Sequence, residues 1–137
     1  MNLIAYALKT AKKHYAQKTY DHAIRVTNYI ADNPIIPDEK MEVCIALAIM
    51  HDLIEDTDYN GDSLGDQYEY FKECLKLITK PKDMNYITYI KRIRECIDTM
   101  PEVYWVKMAD MKDHLSQAET LTENLKTKYL NALPYLL

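Results

Sequence analysis

Apolar residues recur every three or four positions along most of the chain, which is the spacing of one face of an α-helix. Prolines interrupt this pattern after the second apolar stripe, and Asp38 is predicted to cap the N-terminus of the helix that follows them. Residues 58–66 show no periodicity and contain both glycines of the chain, so a loop is predicted there. Pro101 is predicted to lie in the first turn of a late helix. We therefore predict an all-α fold, a bundle of about seven helices in a single domain that covers residues 1–137.

The segment 43–57 joins two kinds of sequence that rarely occur in one helix. Its first half, residues 43–50, is apolar almost all round, which is typical of a helix enclosed by the core. Its second half carries one histidine and three carboxylates, namely His51, Asp52, Glu55 and Asp56. On a continuous helix of about 3.6 residues per turn these four side chains would share one end and roughly one side. Ionisable groups gathered beside a core are costly unless something binds them, and a divalent metal ion is the obvious candidate.

Two further side chains are candidates to complete a metal site. His22 lies beside the apolar stripe of the second predicted helix, and Asp110 falls in phase with Val106 in the helix that begins near Pro101. A buried aspartate needs a cationic partner, so Asp110 is expected either to pair with Lys107 or to bind a metal ion. The residues alone leave both possibilities open, and a single His-Asp dipeptide is weak evidence.

Composition and charge narrow the functional classes. The 137 residues carry a net charge of −4, which disfavours a generic nucleic-acid binder because such proteins present basic surfaces. The three cysteines, Cys44, Cys74 and Cys96, form no C-x-x-C pair and lie in apolar helical patterns, so they are expected to be reduced core thiols. The first residues lack the basic segment of a signal peptide, and the longest apolar run is too short to span a bilayer. A cytoplasmic protein without a membrane partner is therefore expected.

The order of the candidate ligands resembles a known family. His22, the pair His51-Asp52, and Asp110 resemble the metal site of the HD-domain phosphohydrolase superfamily. The run His51-Asp-Leu-Ile-Glu-Asp56 is similar to the H-D-x-x-E-D signature of the ppGpp hydrolase domain of RelA/SpoT-type enzymes. Three more segments resemble that domain in order and approximate spacing, its H-A-G-Q, V-T-K and I-K-L-A-D motifs being matched by His14-Tyr-Ala-Gln17, Leu77-Ile-Thr-Lys80 and Val106-Lys-Met-Ala-Asp110.

The resemblance implies a fold, a cofactor and a reaction. It implies the HD helical bundle and a manganese ion, or another divalent metal, held by His22, His51, Asp52 and Asp110. It also implies that Glu55 and Asp56 serve the hydrolytic water. The implied substrate is a small nucleotide, ppGpp or pppGpp, from which the 3′-pyrophosphate is cleaved. Its expected contacts are Lys18, Lys80 and His114.

Departures from the family pattern keep other functions open. The family has a longer connection before its first metal histidine, whereas only residues 18–21 separate Gln17 from His22 here. The family's asparagine four residues after the last metal aspartate is replaced by His114. One alternative is an HD-type nucleotidase or dNTPase-like phosphohydrolase with another nucleotide substrate. An alternative of a different class is a nucleotide-binding module without catalytic activity.

Overall fold

The computed structural model describes residues 2–137, and within that range it contains helices, turns and loops but no β-strand. In chain order the α-helices are α1 (Leu3–His14), α2 (Gln17–Ala31), α3 (Asp38–Met50), α4 (Leu53–Asp56), α5 (Glu69–Ile78), α6 (Tyr86–Glu95), α7 (Pro101–Ser116) and α8 (Glu123–Leu136). All of them except the single turn α4 have at least 10 residues, so the predicted all-α bundle of about seven helices is confirmed. None of the helices in residues 2–137 combines the length and the apolar composition that a membrane span requires.

Helices α3 and α7 form the centre of the bundle. Helix α3 packs against α1, α2, α5 and α7, while α7 also contacts α2, α5, α6 and α8. The apolar first half of the segment 43–57 explains the position of α3, because Cys44 and residues 46–50 are all buried. The central place of α7 brings its polar residues into the interior, including Lys107, Asp110 and Asp113.

Local sequence signals account for several helix starts. The side chains of Asn2 and Asn85 accept backbone N–H groups at the starts of α1 and α6, and Pro101 is the first residue of α7 as predicted. The prediction that Asp38 caps α3 is wrong by one position. Pro37, with a φ of −63°, is the residue before the helix, and Asp38 occupies its first turn, where a negative charge complements the helix dipole.

The predicted continuous helix over residues 43–57 is also wrong, because the chain leaves the helix between α3 and α4. The carbonyl oxygen of Ala48 accepts the side-chain Nδ1–H of His51 at 2.7 Å. The Tyr15 hydroxyl donates to the carbonyl of Ile49 at 2.8 Å and accepts the backbone N–H of Asp52 at 3.2 Å. Side chains thus bind backbone groups that a continuous helix would pair with each other, and this satisfies them in a buried place.

We predict that Tyr15→Phe lowers the free energy of unfolding by about 1–3 kcal/mol, because it leaves the carbonyl of Ile49 and the N–H of Asp52 without their partner. Urea denaturation of the two proteins measures the difference. Tyr20→Phe is the matched control, since the Tyr20 hydroxyl has no hydrogen bond within residues 2–137. Equal losses in both variants would contradict the role given to Tyr15.

Candidate metal centre

Three parts of the fold bring the four predicted metal ligands together. Helix α2 supplies His22, the junction between α3 and α4 supplies His51 and Asp52, and α7 supplies Asp110. One potential ligand atom from each of the four lies within 4.8 Å of every other. The Oδ1 atom of Asp110 lies 2.8 Å from Nε2 of His22 and 3.1 Å from Nε2 of His51. The Oδ2 atom of Asp52 lies 3.2 Å and 3.7 Å from the same two nitrogens.

An outer carboxylate fixes the ring of His22. Its Nδ1 atom lies 2.6 Å from Oδ2 of Asp113, a fully buried residue. Arg25 forms a two-point ion pair with that carboxylate, through Nε at 2.8 Å and a terminal guanidinium nitrogen at 3.0 Å. Burial alone would raise the pKa of Asp113, but Arg25 and His22 outweigh this and lower it. The carboxylate therefore accepts, and the Nδ1 atom of His22 carries the hydrogen.

A backbone carbonyl orients the ring of His51 in the way that Asp113 orients the ring of His22. Its Nδ1 atom must carry a hydrogen, because the Ala48 carbonyl that it contacts can only accept. Both rings thus direct Nε2 toward the carboxylates of Asp52 and Asp110. In a neutral imidazole with its hydrogen on Nδ1, the Nε2 atom carries an unshared electron pair, which would repel a carboxylate oxygen. Either a proton or a cation must therefore lie between each Nε2 atom and the carboxylates.

Charge in the cluster affects the two histidines strongly. Burial alone would lower the pKa of His22, but its hydrogen bond to Asp110 and the charge of Asp110 outweigh this and raise it. Burial also opposes the charging of His51, whose pKa is nevertheless raised well above its ordinary value by Asp52 and Asp110. Metal ions bind deprotonated ring nitrogens, so protons and a metal ion compete for the same two Nε2 atoms.

Asp110 divides its two oxygens between different partners. Its Oδ2 atom receives a hydrogen bond from the Lys107 ammonium at 2.7 Å, so the ion pair that was one of the two predicted alternatives is present. Its Oδ1 atom faces the ring nitrogens, including Nε2 of His114 at 3.2 Å. Burial would raise the pKa of Asp110, but the charges of Lys107 and His51 hold it well below its ordinary value. The ion pair thus leaves Oδ1 available as a ligand atom.

The arrangement fits a divalent cation. Around an ion with octahedral ligands at about 2.1 Å, neighbouring ligand atoms are about 3 Å apart and opposite ones about 4.2 Å. The 2.8–3.7 Å separations between ring nitrogens and carboxylate oxygens are close to this spacing. Two imidazoles with two carboxylates suit manganese, iron or zinc. Partial burial, followed by the negative charges of Asp52 and Glu55, raises the pKa of Asp56 to about 6, which a cation would reverse.

Two cavities open on either side of this cluster. Cavity A, of about 210 Å³, is lined by Glu55, three lysines and three tyrosines as well as Asp52 and Asp110. Cavity B, of about 540 Å³, opens on His22 and Arg25. Four residues line both cavities, namely Asp52, Asp56, His114 and Tyr129. The cluster is therefore accessible from two sides.

The other predicted site residues are distributed between these cavities. Glu55 and Lys80 line cavity A, and the Lys80 ammonium donates to the carbonyls of Pro81 and Met84. Lys18 is exposed in the first turn of α2, on the rim of cavity B. The His114 ring is stacked between the rings of His22 and Tyr129, with centroid distances of 4.4 and 4.9 Å.

Sequence reasoning missed Asp113 and Lys128. Asp113 lies three positions after Asp110 and seven after Val106. This spacing places it on the same buried face of the helix, so the sequence alone could have identified it as a neighbour of the site. Lys128 gave no comparable signal, because its proximity to Lys107 arises from the packing of α8 against α6 and α7.

We predict that Asp113→Asn weakens Mn²⁺ binding about 10- to 100-fold, because the uncharged amide no longer increases the basicity of His22. Isothermal titration calorimetry on folded protein measures the affinity. Asp21→Asn is the control, since Asp21 lines the same cavity B and contacts Gln17 rather than a ring nitrogen. An unchanged affinity in Asp113→Asn would show that this contact does not tune His22.

Comparison with known proteins provides no family assignment for the chain. No protein-family model matches the sequence, and no curated protein matches it. The grounds for proposing a function are therefore the chemistry of the residues and the arrangement of their side chains.

Proposed function

We propose that this protein is a metal-dependent phosphohydrolase of the HD type, with a guanosine 3′-pyrophosphate, ppGpp or pppGpp, as its substrate. One observation carries the proposal. The Nδ1–H groups of His22 and His51 are held by outer acceptors, so both Nε2 atoms converge with Asp52 and Asp110 on one point. That point lies beside a cavity which contains both carboxylates and ammonium groups.

Four residues would hold the metal ion, Mn²⁺ or another divalent cation: His22, His51, Asp52 and Asp110. A cation there would lower the pKa of a water ligand toward about 7 and would offset phosphate charge. The protein contributes the fixed ring orientations and the buried carboxylate of Asp110, which has little freedom to reorganise. Helix α7, in the middle of the bundle, holds Asp110 and its partner Lys107 in one turn.

Glu55 and Asp56 are proposed to serve the attacking water. Both lie on the single turn α4, directly after the ligand pair, and both line cavity A. Glu55 is assigned as the group that accepts the water proton as the water oxygen attacks the phosphorus bonded to O3′. The bond between that phosphorus and O3′ then breaks, O3′ takes up a proton, and the products are pyrophosphate and GDP or GTP.

A second candidate is an HD-type phosphohydrolase with a different nucleotide, such as a nucleotidase or a dNTPase-like enzyme. The observation that favours it is the connection between α1 and α2, which consists only of Tyr15 and Ala16. Lys18 therefore projects from the first turn of α2 rather than from a loop. With this short connection, cavity B lacks the segment with which RelA/SpoT-type hydrolases contact guanine.

A hydrolysis screen with product identification separates these functions. The protein is incubated with Mn²⁺ and ppGpp, or with a panel of nucleoside mono- and triphosphates. Pyrophosphate release from ppGpp supports the first function. Orthophosphate or triphosphate release from another nucleotide, without turnover of ppGpp, supports the second. Tight Mn²⁺-dependent nucleotide binding without any product would show a binding module.

We predict that Glu55→Gln retains Mn²⁺ binding and loses about 100-fold or more in turnover, because an amide does not accept the water proton. Calorimetry measures the metal, and steady-state kinetics measures the turnover. Glu39→Gln, an exposed change in the first turn of α3, is the control and should behave as the parent protein. Full activity in Glu55→Gln would refute the assignment of Glu55.

We predict that His51→Ala and Asp52→Ala each abolish both Mn²⁺ binding and hydrolysis, because each removes a ligand from the centre of the cluster. Circular dichroism checks that the variants are folded, and calorimetry with Mn²⁺ gives the binding result. Activity that survives in both folded variants without bound metal would contradict the proposed metal dependence.

A further inference from the structure

We propose that Lys128 and Lys80 form an anion subsite in cavity A, which binds a phosphate group other than the one held at the metal ligands. The inference rests on the proposed function for the identity of the anion. It goes beyond that function because it assigns a binding role to Lys128. It also requires that the part of the substrate in cavity A carry two linked phosphate groups.

The Lys128 ammonium forms no ion pair within the part of the chain that the structure describes. It also has no hydrogen bond within residues 2–137. Its close partners are two aromatic rings, since Nζ lies 4.4 Å from the ring centroid of Tyr86 and 5.6 Å from that of Tyr129. Aromatic faces hold and orient an ammonium but do not neutralise its charge. Lys128 is thus positioned on the wall of cavity A with its charge available.

Other ammonium groups surround the same space. Lys107 lies 5.7 Å from the Tyr86 ring that also contacts Lys128, and Lys80 lines the same cavity. Partial desolvation, followed by the charge of Lys107, lowers the pKa of Lys128. Asp110 already neutralises Lys107, whereas among the described residues the Lys80 ammonium forms hydrogen bonds only to two backbone carbonyls. Cavity A therefore contains two ammonium groups, on Lys80 and Lys128, without a carboxylate bonded to either.

The size of each cavity indicates which part of a substrate enters it. Pockets for drug-sized ligands measure about 300–1,000 Å³. Cavity B, of about 540 Å³, falls within this range, and cavity A, of about 210 Å³, lies below it. A compact anion fits cavity A better than a nucleoside does. Cavity A is also lined by Asp52 and Asp110. One phosphate of a pyrophosphoryl group would therefore lie beside the metal ligands, and the other phosphate would contact the lysines.

Inorganic pyrophosphate and orthophosphate test the subsite without any turnover. Each is titrated calorimetrically into Mn²⁺-loaded protein, with the bound Mn²⁺ verified by electron paramagnetic resonance before and after. Lys128→Met keeps the apolar stem and removes the charge. We expect it to weaken pyrophosphate binding about tenfold or more, because a charge-assisted contact is lost, and to change orthophosphate binding less than about twofold. Lys80→Met should act in the same direction.

Lys126→Met is the matched control, because Lys126 is exposed on the same helix and does not line cavity A. It should bind both anions as the parent protein does. Four results would overturn the subsite. In Lys128→Met these are an unchanged pyrophosphate affinity or an equal loss for both anions. In the parent protein they are pyrophosphate binding no better than orthophosphate binding, or release of the bound Mn²⁺ to pyrophosphate. A chain that fails to hydrolyse ppGpp but loses pyrophosphate affinity as expected would refute the proposed substrate and retain the subsite.

Discussion

The convergence of two imidazole Nε2 atoms on two carboxylates is the constraint on which the rest of the site depends. Each ring is fixed from outside, His22 by Asp113 and His51 by the Ala48 carbonyl, so neither can turn its Nδ1–H inward without losing a buried partner. The centre must therefore contain positive charge, as protons or as a metal ion. Asp113, which holds the ring of His22, is itself bound by Arg25 at the edge of cavity B.

Two adjacent residues, His51 and Asp52, share this centre at the interruption between α3 and α4. On a regular helix the side chains of His51 and Asp52 would diverge by about 100°. The chain leaves the helix at this point, and Tyr15, the residue that follows α1, binds the backbone groups that the break exposes. The residue that follows α1 thus satisfies the backbone of the junction that carries His51 and Asp52. This explains why a tyrosine is tolerated at a position where the residue is only 9 % exposed.

The limits of sequence reasoning follow from the range of the interactions concerned. Periodicity and proline positions predicted the helices well, because these signals are local. The residue pattern and the resemblance both named His22, His51, Asp52 and Asp110, which offer ligand atoms within 4.8 Å of one another. The helix break was missed because it depends on Tyr15, far away in sequence. Lys128 was missed for a similar reason, since only the packing of α8 against α6 and α7 places it beside Lys107.

Asp110 would link the proposed cation site electrically to the proposed anion subsite. Its Oδ1 atom faces the ring nitrogens while its Oδ2 atom neutralises Lys107, which shares the Tyr86 ring with Lys128. Positive charge placed at Oδ1 withdraws electron density from the whole carboxylate, so Lys107 becomes less completely neutralised. The lysine wall then attracts anions more strongly. By thermodynamic linkage, an anion bound at Lys128 must favour a cation at Oδ1 to the same extent. The two halves of the site are therefore expected to bind cooperatively, a property that the separate residue types do not reveal.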